Sequence, residues 1–578
     1  MSTNQTATAL AEHDAGRLDR AESIYRTRLA EAPDDVAALI GLGDVLTDAR
    51  QLTEAEGFYR RAIELDGEST TAAGAYDGLA AIRQDIGDLD TAVTASKKAA
   101  ILRGNADDTF GVGNTLEYLG RIPDAIEMFL LATQQRPGFT QAHLKAAQQL
   151  LATGRAEECI PHYLKVIEER PDVAELHCNL ANARRKTGDL TEALKSCRRA
   201  IELNPRLADA HNVMGTIWTD RRRPSDALES FKRALDIKPD LASAMNNMAG
   251  ILERAGQVKA AGSLFARAVE LHPEVVEFHE NLGANLLLQG DFERGWLELD
   301  WRRLKRTNPG SRAFPQPAWD GSPLDGKTIV LFAEQRFSDT IQFLRYVKLV
   351  ADKGGRIVLE CQPALVSLAR QMPGVAEVIA QGDPWPACDC QTALMSLPLH
   401  FNTQLPTIPA QVPYITADDQ KSATWKNRLQ GLPGRRVGLA WATGKTGQTD
   451  KRQLSPATLS RLADVKNISF VSLQKGDDVA VPPNLPLADF TADLTDFSET
   501  AALIANLDLV ITVDTAVAHL AGATGKPVWI MLPAVSDWRW LLDRSDSPWY
   551  PTARLFRQSE SQGWSEVIDA VAKALQEF

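Results

Sequence analysis

The chain has 578 residues, 44% of them hydrophobic and 24% charged, with a formal net charge of −12. One hydrophobic core does not grow to that length, so two or more globular domains are expected, and the acidic balance excludes a general nucleic-acid or anionic-membrane binder, which needs clustered Lys and Arg. The first residues lack the basic start and apolar stretch of a secretory leader, no apolar run reaches the roughly 18 residues of a membrane span, and six cysteines make no disulfide framework, so a cytoplasmic protein is expected.

The first half is periodic. Pro137, Pro171, Pro205, Pro239 and Pro273 recur every 34 residues; Gly120, Gly154, Gly188, Gly256 and Gly290 keep the same register, with Arg222 in the one gap. That period is the signature of tetratricopeptide repeats, each a pair of helices. Small residues at Ala125, Cys159, Ala193, Ala227 and Ala261 let the two helices approach, and Phe129, Tyr163, Phe231 and Phe265 fill the space between repeats. About eight repeats and a longer, tryptophan-rich transitional unit, ENLGANLLLQGDFERGWLELDWRRLKR, occupy residues 1–305. A solenoid of this kind leaves a concave groove lined by the first helix of each repeat, suited to a polypeptide. Two residues before the small position of that helix stand Asn179, Val213, Asn247 and Asn281. Amides there either hydrogen-bond an extended peptide backbone or are simply tolerated on a solvated helix face.

A Pro/Gly-rich connector, 306–325, leads into alternating strand-like and helix-like runs. KTIVLFA, RIVLEC and VAEVIA form a first series (326–430), and RRVGLAWAT, FVSLQKG, DLVITVD and PVWIMLP a second (431–578). Two Rossmann-like halves with ligands at the carboxyl ends of their strands are the economical arrangement. No G-x-G-x-x-G fingerprint or P-loop is present, which argues against NAD and ATP hydrolysis. Cys388 and Cys390 form a lone C-x-C without the further ligands a zinc site needs.

The strongest phosphate-binding signal lies in LDLVITVDTAVAHLAGATGKPVWIMLP. A buried strand ends at Asp514, and Thr515 and Ala516 open a helix whose free N–H groups and positive dipole end suit a phosphate. His519 on the first turn either stabilises a leaving phosphate or is a satisfied core histidine; Asp514 either accepts from sugar hydroxyls or caps the helix. Lys445, Lys451 and Arg452 follow RRVGLAWAT and either contact phosphate or stay solvated.

The combination AEQ-x-x-x-DTIQFLRY, VGLAW, FVSLQKGD, VDTAVAHLAGATGKPVWIMLP, DWRWLLDR, SPWYP and LFRQ resembles the bacterial tetratricopeptide-repeat glycosyltransferases. Their catalytic half is similar to the GT-B heptosyltransferases and, more distantly, to the protein O-GlcNAc transferases. Within that group the arrangement is most similar to the repeat-fused flagellin glycosyltransferases of alphaproteobacteria. That resemblance implies an all-α repeat solenoid followed by a GT-B domain, and transfer of a nonulosonic acid such as pseudaminic acid from its CMP derivative to Ser or Thr of flagellin held by the repeats. It implies no metal and no cofactor beyond the nucleotide sugar.

A hydroxyl nucleophile needs a base within reach of its proton. Asp339 matches the aspartate of the heptosyltransferase Gly-Asp loop and is either the expected base or a helix-start carboxylate that stabilises the dipole, with Glu334 as second choice for the base and Gln335 and Gln342 as positioning residues. Arg336, Lys445, Lys451, Gln474, Asp514, Thr515, Ala516, Trp538, Arg539 and Trp540 are the expected donor contacts, although a tryptophan pair is also how a core closes. Arg336 and Ser338 stand where the family has glycine; a required positive φ there would cost about 1 kcal/mol each, and Arg336 either reads an acidic donor or blocks the site. Two other readings compete: a binding scaffold or secretion chaperone with a degenerate transferase half, and an envelope-polysaccharide glycosyltransferase.

Overall fold

The computed structural model of the chain describes residues 2–304, 314–443, 454–476, 479–559 and 563–578. It divides into two compact units, Met1–Ile237 and Lys238–Phe578.

The first unit holds fourteen helices among its described residues, from Ser2–Asp14 to Pro224–Ile237, arranged as successive antiparallel pairs. One pair shows how the repeat codes for itself. Helix Ala174–Lys186 stops at Thr187, Gly188 turns the chain at φ 86°, and the Asp189 side chain accepts from the Glu192 N–H to start helix Leu190–Leu203. Ala193, Cys197 and Ala200 on the second helix are fully buried. Arg222, the residue in the glycine gap, adopts the same left-handed conformation at φ 58°, a cost of roughly 1–2 kcal/mol that the fold absorbs. The repeat also carries a signal the spacing of Pro and Gly does not announce. The Nε2 atoms of His143, His177 and His211 lie 3.0, 2.8 and 3.0 Å from the carbonyl oxygens of Pro137, Pro171 and Pro205, so each imidazole donates to the turn that precedes its helix.

The second unit begins with four more helices, Ala242–Arg254, Val258–Leu271, Val276–Leu288 and Phe292–Asp300, and a 3₁₀ turn, Trp301–Leu304. Its boundary therefore does not fall at the 306–325 connector, where composition alone places it. The last helix is part of the α/β core: Trp296 is buried among Phe343, Trp538 and Trp549, and its indole N–H donates to the Thr403 carbonyl at 2.9 Å.

Two parallel sheets follow. The first contains β1 (Thr328–Phe332), β2 (Arg356–Cys361), β3 (Val375–Ala380) and β4 (Cys390–Ala393) in the order β3-β2-β1-β4. The second contains β5 (Arg435–Ala440), β6 (Ile468–Ser472), β7 (Leu487–Ala488), β8 (Leu509–Val513), β9 (Val528–Leu532) and β10 (Ala553–Arg557) in the order β10-β9-β8-β5-β6-β7. Sequences such as TIVLF, LVITV and VWIML are almost wholly apolar because their strands are covered on both faces. Strand order reverses between β1 and β4 in one sheet and between β5 and β8 in the other, and crevices of open α/β sheets lie beyond the strand ends at such points. Among the described residues no helix is long and apolar enough to cross a membrane.

Candidate functional site

The polar break AEQRFSDT leaves β1 and becomes helix Phe337–Phe343. Arg336 sits just before the helix at φ −93°, ψ 158°, and neither it nor Ser338 is among the residues with positive φ. Glycine is therefore not required at either position, and the side chain of Arg336 is exposed rather than folded into the site. Asp339 is 5% exposed. Its Oδ2 accepts from the Arg336 backbone N–H at 3.1 Å, the reach-back bond of a helix start, and its Oδ1 accepts from Arg539 Nη2 at 2.5 Å.

Arg539 belongs to the turn Trp538–Trp540 after β9, so this ion pair joins the carboxyl-end loops of the two sheets. Its Nε donates to Gln342 Oε1 at 2.6 Å and its Nη1 to Asp537 Oδ1 at 2.8 Å. Burial disfavours its charge, but the Asp537 and Asp339 carboxylates outweigh that and hold the guanidinium above its ordinary pKa. A second buried chain crosses the same seam. Arg345 donates to the Trp549 carbonyl at 2.7 Å and to the Tyr414 hydroxyl at 3.1 Å, and Tyr414 donates to the Ile341 carbonyl at 3.0 Å. The rings of Tyr414 and Tyr550 lie under the Arg345 guanidinium.

Helix Ala516–Ala523 opens directly after β8, with Asp514 7% exposed at the strand end and Thr515 in an extended conformation before the first turn. His519 is fully buried, its Nδ1 lies 2.8 Å from the Tyr550 hydroxyl and its Nε2 lies 3.8 Å from Asp514 Oδ1. Burial keeps Tyr550 protonated by pushing its pKa well up. A hydroxyl that donates to Nδ1 leaves the imidazole proton on Nε2, which is buried and makes no hydrogen bond to Asp514. The helix lies so close to Tyr550 that a Cβ on Gly522 would come within 2.4 Å of its ring, which is why VAHLAG keeps a glycine inside a helix.

Asp339, Asp514, Thr515, Ala516, His519 and Arg539 thus gather around one seam, but several expected roles change. Glu334 is 4% exposed and half engaged: its Oε2 accepts from Arg302 Nη2 at 2.8 Å and Nε at 3.1 Å, while its Oε1 is buried without a hydrogen-bond partner. Gln474 spends its carbonyl on the N–H groups of Trp441 and Ala442, at 2.9 and 2.8 Å, and so shapes the loop after β5 instead of reaching for a donor. Trp538 and Trp540 serve the core, at 6% and 0% exposure; Trp538 packs against Trp296 and Phe343, and Trp540 against His519 and Tyr550. Arg539 is engaged with side chains rather than open to a donor, and His519 is enclosed. Lys445, Lys451 and Arg452 lie outside the described residues. In the repeats Asn179, Asn247 and Asn281 are half-buried, and the Asn281 amide already donates to Asn246 at 2.8 Å, which weakens a continuous amide ladder.

Sequence reasoning left Arg302, Arg345, Tyr414 and Tyr550 without roles. Arg345 and Tyr550 lie in quoted motifs, FLRY and SPWYP, and a buried arginine or tyrosine beside apolar residues was the available signal. At the strand-order reversal of the first sheet lies a cavity of about 480 Å³, lined among others by Trp301, Arg303, Phe314, Phe332 and Gln391. Trp301 forms one wall and is stacked at 3.8 Å on His279, whose ring nitrogens face the Pro273 carbonyl and the Glu298 carboxylate.

Comparison with known proteins falls on the same elements. Residues 492–535, which carry β8, Asp514 and helix Ala516–Ala523, match glycosyltransferase family 9 (heptosyltransferase), and residues 6–70 and 174–207 match tetratricopeptide repeat families. Protein FlbA of Caulobacter vibrioides is 27% identical over 328 residues, 51% of this chain and 54% of FlbA, so the chain spans about half the length of that curated relative. Among solved structures, MamA protein is 21% identical, covering 29% of this chain and 92% of that one at a TM-score of 0.26. A thermophilic TPR protein of Thermus thermophilus, TTC0263, is 22% identical, covering 32% of this chain and 99% of that one at a TM-score of 0.28. The chain joins tetratricopeptide repeats to an α/β region that carries a glycosyltransferase family 9 segment.

Proposed function

We propose that this protein is a GT-B glycosyltransferase that moves a sugar from a nucleotide-sugar donor to a serine or threonine of a polypeptide held by its repeats. The observation that carries this reading is the seam itself. A carboxylate on the helix that follows β1 faces, through Arg539, the elements around a helix start that matches the family segment, Asp514 to Ala523. In the reaction the acceptor oxygen bonds to the anomeric carbon, the bond from that carbon to the phosphate oxygen breaks, and Asp339 takes the hydroxyl proton. The N–H groups of helix Ala516–Ala523 offset the charge left on the phosphate without a metal. Each Asp339 oxygen has a second lone-pair direction beyond the bonds described. Likeness of the quoted motifs to the flagellin-modifying group supports flagellin as acceptor and a CMP-linked nonulosonic acid such as pseudaminic acid as donor. Co-expression with flagellin and a complete donor pathway, read by intact mass, tests this. The expected adduct disappears in Asp339→Ala, and its absence with the wild type sinks the reading.

A second reading is favoured by the engagement of both Asp339 oxygens: a polypeptide-binding scaffold whose transferase half is inactive. It predicts no rise in melting temperature with CMP, UDP, GDP or ADP, whereas a nucleotide-binding transferase is stabilised in proportion to occupancy.

A further inference from the structure

We propose that Arg539 is a positioning residue for Asp339, an arm from the second sheet that fixes the orientation of a carboxylate belonging to the first. The arm is built to be rigid. Asp537 Oδ1 accepts from both the backbone N–H of Arg539, at 3.1 Å, and its Nη1, at 2.8 Å, so one carboxylate sets the direction of the whole side chain. Trp538 lies under the guanidinium, 4.2 Å from its carbon to the ring centroid, and Gln342, one helical turn beyond Asp339, holds Nε. Directly after the turn, Leu541 is held at φ 53°, ψ −165°, a region almost confined to glycine. A buried leucine accepts that backbone only where its surroundings impose it.

The geometry separates the two aspartates by role. Asp537 aims the arginine, and the arginine aims Asp339, leaving the Oδ2 side tied to the Arg336 N–H. The guanidinium that meets the Asp339 carboxylate is also held by Asp537 from its own turn and acted on by Asp514 at the end of β8. Orientation of the carboxylate on one sheet therefore depends on the turn that follows β9 in the other.

The positional claim stands on this geometry, and its effect on rate rests on the transferase reading, so the experiment reads the two separately. Hydrogen exchange of the full chain is measured for wild type, Arg539→Lys, Arg539→Met and Asp537→Asn. Faster exchange at residues 336–343 is expected in all three variants, largest in Arg539→Met, with melting temperature showing whether each is folded. If the methionine variant does not fold, the lysine and Asp537→Asn variants decide. Transfer to flagellin from CMP-pseudaminic acid is then followed. Arg539→Met is expected to lose about 100-fold in kcat, the scale of a displaced catalytic group, with KM for the donor little changed. Arg539→Lys is expected to restore part of the kcat. Wild-type exchange at 336–343 in the folded variants overturns the proposal, as does a loss that appears in donor KM alone. A wild type that transfers nothing overturns the transferase reading, while the exchange result still decides the positional one.

Discussion

The helix pair Ala174–Lys186 and Leu190–Leu203 and the pair Val276–Leu288 and Phe292–Asp300 are written on one frame and end in different surroundings. Both turn at a left-handed glycine, Gly188 and Gly290; both start the second helix on an aspartate, Asp189 and Asp291; both tie a histidine, His177 and His279, to the carbonyl of a preceding proline. At equivalent frame positions, however, Ala193 becomes Gly295, Leu194 becomes Trp296, Cys197 becomes Leu299 and Ala200 becomes Arg302. Turn chemistry makes a repeat. Residue size and charge on the buried face of its second helix decide whether it packs as one more repeat or fuses to a sheet.

The largest expected effect follows from Arg302. Its guanidinium is 1% exposed and bonds Glu334, Asp300 and Ser396, and the two carboxylates hold its pKa up against burial. Arg302→Met leaves Glu334 buried without its cation and is expected to cost about 3–5 kcal/mol of the second unit's stability, measured by denaturant unfolding. Arg302→Met with Glu334→Gln is expected to recover much of that loss. A cost below about 1 kcal/mol for the single change, the level of an exposed pair, would show that the last repeat is not built into the sheet.

A smaller effect tests the close approach. A Cβ on Gly283 would meet the backbone N of Leu299 at 2.6 Å, a clash that no side-chain rotation relieves. Gly283→Ala is expected to destabilise by about 1–3 kcal/mol through overpacking. The same frame position in the ordinary pair is Ala181, already an alanine and fully buried, so that pair accepts the methyl group that the fused pair excludes. A cost below about 0.5 kcal/mol for Gly283→Ala, the level of a neutral surface change, would erase the distinction.

These pairs also show how far the sequence could be read. The 34-residue period is legible because each repeat contacts mainly its neighbours, so the pattern is local. Asp514, Thr515 and Ala516 are legible for the same reason: an apolar strand, a carboxylate and a helix start stand side by side in the chain. Arg302 with Glu334, and Arg345 with Tyr414 and Tyr550, are not, because their partners lie far along the chain and leave no spacing to find. Gln474 and Arg539 were placed in the right loops and given the wrong partners. A polar side chain near a strand end can serve a ligand or its own backbone, and only the fold decides which. Strands β4, β7 and β10 escaped because they are short or lack a long apolar run.

Acid sensitivity gives a further test within the repeats. In the first unit His143 Nδ1 and His162 Nδ1 lie 2.8 Å apart, and His143 already donates through Nε2 to Pro137. The neutral pair is satisfied when His162 donates. Burial, with the charge of His143, lowers the pKa of His162, against an opposing pull from Glu158. The folded value therefore lies below the unfolded one, so the stabilisation is fully present above the ordinary histidine range and is lost as pH falls through it toward the folded value. Unfolding of the first unit is expected to shift to lower denaturant between about pH 7 and pH 5, the span of that range, and His162→Gln is expected to flatten the dependence. An unchanged slope in the variant would remove the histidine pair from the account.

The smallest expected effect is the control for Arg302. Arg185 in the ordinary repeat donates to Asp220 at 2.9 Å, but the two side chains keep 23% and 39% of their surface in water. Desolvation is slight, the Coulomb gain is screened, and two long side chains lose freedom to make the contact, so Asp220→Asn is expected to cost about 0.2–1 kcal/mol, and less at high salt. The two arginines have the same chemistry and similar bond lengths to their carboxylates. What separates several kcal/mol from a few tenths is whether water can take over when the partner is removed. A loss above about 2 kcal/mol at Asp220, beyond the range of exposed pairs, would mean that distance, not burial, sets the worth of these pairs, and the contrast between an ordinary repeat and the fused one would have to be rebuilt on other contacts.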